Sequence, residues 1–431
     1  MSFKVHRDEL PSGLPVVTVE TPHLHSAMVT VYVRIGSRYE TAANSGVSHL
    51  LEHLFFRGSR RFRDTVRMNA RVEAVGGNLN GVTMRDLSYY YTPVHPSGVP
   101  VALEVLGDML TRPRLSHLAL EKEIILEEML DEVDETGRDI DTENLTKQLR
   151  FGRHPLGLKI AGTADSVRAL TQRQVDEHFR RAYVSGNVVV AVAGPVNHRA
   201  VLGAATRAFR ALPPGPRVQA PRAPEPPRGP TFRFVELDES QTSFRLSFPT
   251  VAEDHDDFTA LGVLRRVLDD GLSSRLPYNV VERLGLAYSV GASLEGFDDC
   301  GSFDVDGACA PGKVAATVQE VLRTLGTLTR GQITQDEVRR AQRRSRLFLE
   351  TLQDSPGDLV GWFAAESLFR TPESFSSRLR KIERVTRGDL VRVARKYLTR
   401  RGLLAVAVGP RTGRQALKAV VLRARGLPSG Q

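Results

Sequence analysis

The sequence predicts an α+β protein made of two homologous α/β-roll domains, each a mostly antiparallel sheet backed by helices. Two observations lead to this prediction. The chain has 431 residues, and a single hydrophobic core rarely grows beyond ~250–300 residues. The two halves also end alike: residues 170–195 and 385–410 each give a polar cap, an amphipathic helix, a short turn and an apolar strand ending in Gly-Pro. Repetition on this scale indicates internal duplication.

Each half begins with a strand that leads into a helix. Apolar and polar residues alternate over 29–35 and over 244–248, which is the two-residue period of a strand with one buried face. Helices are predicted to follow around 45–57 and 256–269. Because the second side of each strand is polar, we expect one face of each sheet to meet water or a cavity.

A proline-rich segment separates the halves. Eight of the eighteen residues in 213–230 are proline, which has no amide hydrogen and a fixed φ, so this segment is neither helix nor central strand. We therefore expect an N-terminal domain over 1–212, an extended linker over 213–230 and a homologous C-terminal domain over 231–431.

Composition narrows the class of protein. Hydrophobic residues make up 41% of the chain and charged residues 25%, as in ordinary globular proteins, and no apolar run approaches the ~18–20 residues of a membrane span.

Without an apolar signal-peptide core and with only Cys300 and Cys309 as cysteines, a cytoplasmic location is expected. The net charge of +9 comes with no nucleic-acid-binding motif, so we expect no nucleic-acid partner; a nucleic-acid-binding protein is the weaker alternative.

The stretch HLLEH at 49–53 is the candidate for chemistry. His49 and His53 are four residues apart, so on a helix they offer two imidazoles to one metal ion. Glu52 borders the same face, where a carboxylate can act as general base toward water. A catalytic zinc takes three protein ligands and an open position. The alternative is an amphipathic helix with two half-buried histidines, and a third ligand elsewhere decides between the two.

Residues 118–133 supply the third ligand. Their apolar residues make a broad stripe, which predicts a core-facing helix. Glu128 is three residues after Ile125, so we expect it on the apolar side, where a carboxylate is costly unless paired or metal-bound. Glu121 is seven residues earlier on the same face and suits the orientation of a ligand histidine.

Together these motifs resemble one family. HLLEH, followed 75 residues after His53 by Glu128 in EKEIILEEM, is similar to the pitrilysin and mitochondrial processing peptidase family of inverted-motif (HxxEH) zinc metallopeptidases. The likeness covers nearly the whole chain, with further matching segments at 46–62, 76–91, 154–163 and 188–196.

The resemblance implies a zinc-dependent endopeptidase that hydrolyses unfolded peptides or presequences inside a clamshell chamber. One zinc ion per chain would be bound by His49, His53 and Glu128, with Glu52 as the base and Glu121 in support. Two imidazoles and a carboxylate suit zinc, although manganese and cobalt are not excluded.

The resemblance also implies a substrate-binding edge strand over 80–83. There Asn80, Gly81 and Thr83 would pair with the substrate backbone by strand addition. Main-chain hydrogen bonding does not depend on side-chain identity, so this mode suits a peptidase of broad specificity. Asn80 is equally well explained as a turn or strand-start residue.

The second half departs from the family's pattern. It has no HxxEH and is expected to be an inactive domain. The family places an arginine and a tyrosine seven residues apart here, to hold the substrate carbonyl and the oxyanion; this chain has Tyr288, but Val281 at the arginine position, with Arg283 two residues off. We therefore expect a dimer, preferably a heterodimer with a zinc-less sister subunit that supplies the Arg/Tyr pair, with a homodimer as the alternative. The rival function is a non-catalytic assembly subunit on the same fold.

Overall fold

The computed structural model describes residues 3–370 and 372–430, and it confirms the α+β class with two sheets. The strands are β1 (Lys4–Glu9), β2 (Pro15–Glu20), β3 (Ala27–Val33), β4 (Asn80–Thr83), β5 (Ser88–Val94), β6 (Val188–Gly194), β7 (Thr231–Glu236), β8 (Thr242–Thr250), β9 (Ser289–Gly296), β10 (Gly301–Cys309) and β11 (Leu404–Gly409).

Helices connect and cover the strands, with short 3-10 and π turns between them. The α-helices are α1 (Val47–Phe55), α2 (Thr65–Glu73), α3 (Val99–Thr111), α4 (Leu118–Glu128), α5 (Thr142–Phe151), α6 (Ala164–Ala169), α7 (Gln172–Ala182), α8 (His198–Ala208), α9 (Asp256–Leu268), α10 (Val314–Thr329), α11 (Gln335–Thr351), α12 (Pro356–Val360), α13 (Phe375–Arg384), α14 (Arg387–Tyr397) and α15 (Arg414–Arg423).

The two sheets have the same topology, as duplication requires. The first has the order β1-β2-β6-β3-β5-β4 and the second β7-β11-β8-β10-β9. In each sheet one pair is parallel, β2 with β6 and β7 with β11, and the remaining pairs are antiparallel. Without β1, the first order maps strand by strand onto the second. The predicted mostly antiparallel sheets are therefore confirmed.

The compact units of the chain are not contiguous in sequence. The first unit consists of residues up to Met129, Leu158–Pro221 and Glu350–Glu373, and the second of Leu130–Gly157, Arg222–Leu349 and the residues from Ser374 onward. Each half of the sequence thus contributes one segment to the other unit. The boundaries at 1–212 and 231–431 describe the duplicated sequence rather than these packing units. Residues 213–230 contain neither helix nor strand.

The expectation that one face of each sheet is open holds only where exchanged segments do not cover it, as at β9, where Ser289 and Ser293 are exposed. In the first unit, α12 contacts β2, β3 and β6, and the polar side of β3 is buried, with Thr30 at 1% exposure and Tyr32 at 5%. In the second unit, α5 contacts β8 and β11, and Leu145 packs with Val406 and Val408. The covering helices come from the opposite half of the sequence, so no local pattern could predict them.

Helix α1 is anchored by the core of the first unit. Leu50, Leu51, Leu54 and Phe55 are fully buried in one apolar cluster with residues of β3, α3 and α7. Each such side chain contributes about 1.5–3 kcal/mol when it is removed from water. The helix is therefore held at a fixed rotation, and its other face is available for chemistry. Among the described residues, no helix is both long and apolar enough to cross a bilayer.

Candidate metal centre

The polar face of α1 carries the predicted motif. His49, Glu52 and His53 are partly buried, while the leucines between them are in the core. The spacing of HLLEH therefore separates apolar anchors from polar groups on one helix, as the 3.6-residue period requires.

The start of α1 is fixed by a carboxylate from an earlier loop. The N-cap residue is Gly46, which has a φ of 91° and no side chain to cap the helix. Instead, Glu40 accepts hydrogen bonds from the backbone N–H groups of Gly46 and Ser48, both at 2.8 Å. Glu40 is 2% exposed, and burial raises its pKa to about 7, against the opposing effect of the two N–H donors. This carboxylate satisfies helix N–H groups that would otherwise lack partners.

A second contact pins the same end of α1 to α7. The Ser48 hydroxyl and His178 Nε2 lie 2.9 Å apart, and both residues are buried. Burial, together with nearby Arg181, lowers the pKa of His178 to about 3, so this imidazole is neutral. The contact is thus a neutral hydrogen bond inside the core.

Three potential metal ligands, His49, His53 and Glu128, lie close together beside the polar face of α1. His49 Nε2 is 3.9 Å and His53 Nε2 is 3.6 Å from Glu128 Oε2, and one ligand atom from each residue lies within 4.8 Å of the others. Tetrahedral zinc with bonds of ~2.0–2.2 Å holds its ligand atoms ~3.3–3.6 Å apart. The donor types and their spacing therefore fit one zinc ion with small adjustments. Burial, and secondarily His53, lowers the pKa of His49 to about 4, which leaves its imidazole neutral, as a ligand must be.

The position of Glu128 corrects one prediction. Its side chain is 49% exposed rather than turned toward the apolar side, because α4 ends at Glu128 and a 3-10 turn, Met129–Glu132, follows. The observed helix is therefore shorter than the one predicted over 118–133. Of the apolar residues in the predicted stripe, only Ile125 and Met129 are buried. Glu128 reaches the histidines from the end of α4 rather than from its core-facing side.

Glu121 is the buried carboxylate of α4, with 1% exposure. Its Oε2 lies 3.1 Å from His53 Nδ1, and Arg57 Nε donates to its Oε1. A proton on Nδ1 shared with Glu121 leaves the lone pair of Nε2 directed toward Glu128. This geometry suits the orienting role predicted for Glu121.

Glu52 is held against the strand β4. Thr83 Oγ1 donates to Glu52 Oε2 at 2.5 Å, and a Cβ placed on Gly81 would lie 3.0 Å from Glu52 Cγ. Burial raises the pKa of Glu52, while Thr83 and His53 oppose that shift. Thr83, predicted as a substrate contact, thus uses its hydroxyl to position Glu52.

The strand β4 lies at the edge of the first sheet, where it pairs with β5. This is the position that the predicted strand addition needs. The side chain of Asn80 donates to the backbone carbonyl of Asn78 at 2.9 Å, which is the local bond of a turn or strand-start residue. That contact favours the alternative interpretation of the Asn80 side chain.

The residues predicted to hold the substrate carbonyl and oxyanion lie in the second unit. Tyr288 directly precedes β9 and is 89% exposed. Val281 lies in a π turn, Pro277–Glu282, and Arg283 forms an ion pair with Glu320 at 2.9 Å. Arg283 therefore has a carboxylate partner within its own unit.

Three supporting residues escaped sequence analysis: Glu40, Arg57 and His178. Arg57 had a usable signal, since it is four residues after His53 and so continues the same helix face. His178 had none, because it is 130 positions from Ser48. Glu40 had none, because it lies in the loop before α1 and belongs to no helix or strand period.

Comparisons with known proteins find similar sequences along nearly the whole chain. Residues 15–164 match the family model described as insulinase (peptidase family M16), and residues 169–345 match the M16 inactive domain. A protein of Mycobacterium tuberculosis described as an uncharacterized zinc protease is 34% identical over 427 residues, covering 95% of this chain and 94% of that protein.

More distant proteins are similar over most of this chain. A probable mitochondrial-processing peptidase subunit beta of Arabidopsis thaliana is 27% identical over 424 residues, which cover 93% of this chain and 77% of that protein. The crystal structure of a protease from Helicobacter pylori, at 22% identity, superimposes with a TM-score of 0.87 and covers 95% of this chain and 100% of that one. Because both halves match family models and a relative is 34% identical along nearly the whole length, the chain belongs to the M16 family of zinc peptidases.

Proposed function

We propose that this protein is a zinc-dependent endopeptidase that cleaves unfolded peptides or presequences. The observation that carries the proposal is the meeting of His49, His53 and Glu128 within 4.8 Å, beside a glutamate held by Thr83. Two imidazoles, one carboxylate and an adjacent second carboxylate are the parts that metal-assisted peptide hydrolysis needs.

Each residue has one role in this proposal. His49, His53 and Glu128 hold one zinc ion, which when bound polarises water and the substrate carbonyl. Glu52 takes the proton of the attacking water and passes it to the leaving amine. The Thr83 hydroxyl occupies Glu52 Oε2, so Oε1 is the oxygen available to carry the proton. Glu121 keeps His53 in the tautomer that presents Nε2.

The substrate is an extended peptide laid along β4. An edge strand offers unpaired backbone N–H and C=O groups, and a peptide can satisfy them by adding as a further strand. Gly81 lies close to Glu52, so a peptide paired at this point passes next to the proposed base. Because such pairing requires an unfolded segment, we expect the substrates to be flexible peptides.

We further propose that the chain works as the zinc-bearing subunit of a dimer. Val281 stands where the family has arginine, and Arg283 is paired with Glu320. An oxyanion donor contributes ~3–4 kcal/mol to transition-state stabilisation. A heterodimer with a zinc-less sister subunit carrying the Arg/Tyr pair would restore this donor, and a homodimer that uses Tyr288 is the alternative.

The test measures zinc content and hydrolysis of a quenched, unstructured peptide library by the purified chain. Glu52→Gln is the inactive variant, and Glu123→Gln is the matched control because Glu123 is exposed on α4. One zinc per chain, with cleavage that is lost in Glu52→Gln and retained in Glu123→Gln, supports the proposal. Zinc without cleavage by the isolated chain supports the heterodimer. A chain that binds no zinc contradicts the proposal and favours the assembly subunit.

A further inference from the structure

The second unit contains a wide basic groove that plays no part in the proposed chemistry. Its volume is about 1520 Å³, and residues of α11, α13, α14 and the C-terminal segment line it. We call this feature the basic groove. Its cationic lining residues are Arg330, Arg384, Arg387, Arg392, Arg395 and Lys396. One acidic residue, Glu383, lines it as well.

The sequence around α13 and α14 concentrates the positive charge of the chain. Residues 378–401 include ten Lys and Arg residues and two acidic ones, a net charge close to the +9 of the whole chain. Packing places five of these cations, from Arg384 to Lys396, along one groove. A surface with this excess of one sign attracts partners of the opposite sign.

Two of the six cations share one carboxylate within the protein. Arg392 and Lys396 both contact the buried carboxylate of Asp257, at 2.5 and 2.9 Å. Their charges therefore serve the packing of α14 against α9 more than an external ligand.

The other four cations have no carboxylate partner among the described residues. Arg387 donates to the carbonyl of Gly331 at 2.7 Å and Arg395 to that of Thr329 at 2.7 Å. Arg330 makes a long contact of 3.5 Å with the carbonyl of Gly426, and Arg384 is exposed. Carbonyl bonds orient a guanidinium without cancelling its charge, so these four arginines remain available to anions.

The arginines, the size and the lack of aromatic rings among the described residues of the basic groove suit carboxylates on a polypeptide better than other anions. Arginine binds carboxylates through paired N–H donors, and arginine clusters are a common way to recognise acidic peptide motifs. The volume exceeds the ~300–1,000 Å³ of small-molecule sites, which points to a chain segment. Within the described lining no aromatic ring is present, so the stacking platform typical of single-stranded nucleic-acid sites is missing. We propose that the basic groove binds an acidic segment of a polypeptide partner.

The test is binding of a fluorescein-labelled oligoglutamate peptide to the full chain, followed by fluorescence anisotropy at about 0.15 M salt. The groove variant is R384Q/R387Q, which removes two exposed guanidinium groups and leaves the Asp257 contacts intact. The matched control is R222Q/R228Q, with the same loss of charge at exposed positions of the second unit outside the groove lining. We expect about tenfold weaker binding for the groove variant and less than twofold change for the control.

Two results would overturn the proposal. Equal weakening in groove variant and control would mean that only the overall charge matters. Tighter binding of labelled duplex DNA than of the peptide, lost in the groove variant alone, would identify a nucleic-acid partner instead. A second variant, R330Q, repeats the test from α10's end of the groove. Glu52→Gln is expected to bind oligoglutamate normally, so this result is independent of peptidase activity.

Discussion

The two units of this protein share one sheet topology and differ in the side chains that their helices present. α1 follows β3, and α9 follows the equivalent β8. Both helices bury leucines in a core, but only α1 presents histidines and glutamate on its other face. The next comparable pair is α4 and α11, the first with four glutamates and the second with five arginines. The side chains proposed for catalysis and metal binding therefore lie at helix positions that do not pack in the core.

One helix contact also differs between the units: it joins α1 to α7 in the first unit and α9 to α14 in the second. In the first unit it is the neutral bond between Ser48 and His178. In the second unit it is ionic: Asp257 of α9 accepts from Tyr397 at 2.6 Å, and from Lys396 and Arg392. The same helix contact thus uses a hydroxyl and an imidazole in the first unit, which we call the neutral joint. In the second unit it uses a buried carboxylate, which we call the ionic joint. The comparison teaches that duplicated frames keep a contact's location while its chemistry changes.

The largest expected effect concerns the face that only α1 carries. Glu52→Gln removes the proposed base and should lower peptide cleavage about 1,000-fold, within the range for general-base removal, without loss of bound zinc. Cleavage assays and metal analysis on the same sample measure both quantities. Unchanged cleavage would mean that Glu52 is not the base and that α1 differs from α9 only in metal binding.

The next effect tests the ionic joint. Asp257→Asn leaves two cations without their carboxylate, and we expect a loss of about 2 kcal/mol in the free energy of unfolding, reduced because both cations are half exposed. Urea denaturation measures it, with Asp256→Asn, an exposed neighbour, as control. Equal losses in both variants would show that the joint contributes nothing specific.

The same carboxylate predicts a pH dependence. Burial alone would raise the pKa of Asp257, but hydrogen bonds from Tyr397, Lys396 and Arg392 outweigh it and hold this pKa well below its usual range. A carboxyl with a lower pKa in the folded state stabilises the fold above its unfolded pKa, ~3.9. Its contribution is lost as the pH falls below that value. Between pH 6 and pH 3, Asp257→Asn should therefore lose less stability than the unsubstituted chain, by the part of this group's contribution that disappears as the unfolded chain takes up its proton.

An intermediate effect concerns α4. Glu121→Gln weakens the acceptor for His53 Nδ1, and loss of such a supporting bond typically costs 10–100-fold in metal affinity. Competition with a chelator measures the zinc affinity directly. Glu127→Gln, an exposed change on the same helix, is expected to leave it unaltered. A similar affinity in both variants would restrict Glu121 to its ion pair with Arg57.

The smallest effect tests the neutral joint. Ser48→Ala leaves His178 Nε2 without its partner in the core, and we expect a cost of about 1 kcal/mol in unfolding free energy. Ser26→Ala, at an exposed position, is the control. A cost larger than that of Asp257→Asn would reverse the ranking of the two joints.

Several features followed from sequence alone because they depend on short-range periodicity. The i and i+4 spacing of His49 and His53 places them on one helix face, and the alternation in 29–35 predicts a strand that is observed at Ala27–Val33. The duplication was visible because both halves repeat the same order of helix and strand. Glu128 was identified from its motif, although its predicted burial was wrong because α4 ends at that residue.

Tertiary structure decided everything that joins distant parts of the chain. The carboxylate of Glu121 lies against His53 across 68 positions, and His178 lies against Ser48 across 130 positions. Exchanged segments cover part of the polar sheet faces. Packing also brings Arg330, at the end of α10, beside the cations of α13 and α14 in one groove. The physical reason is that helix and strand periods act over a few residues, whereas packing selects among all partners that the chain can bring together.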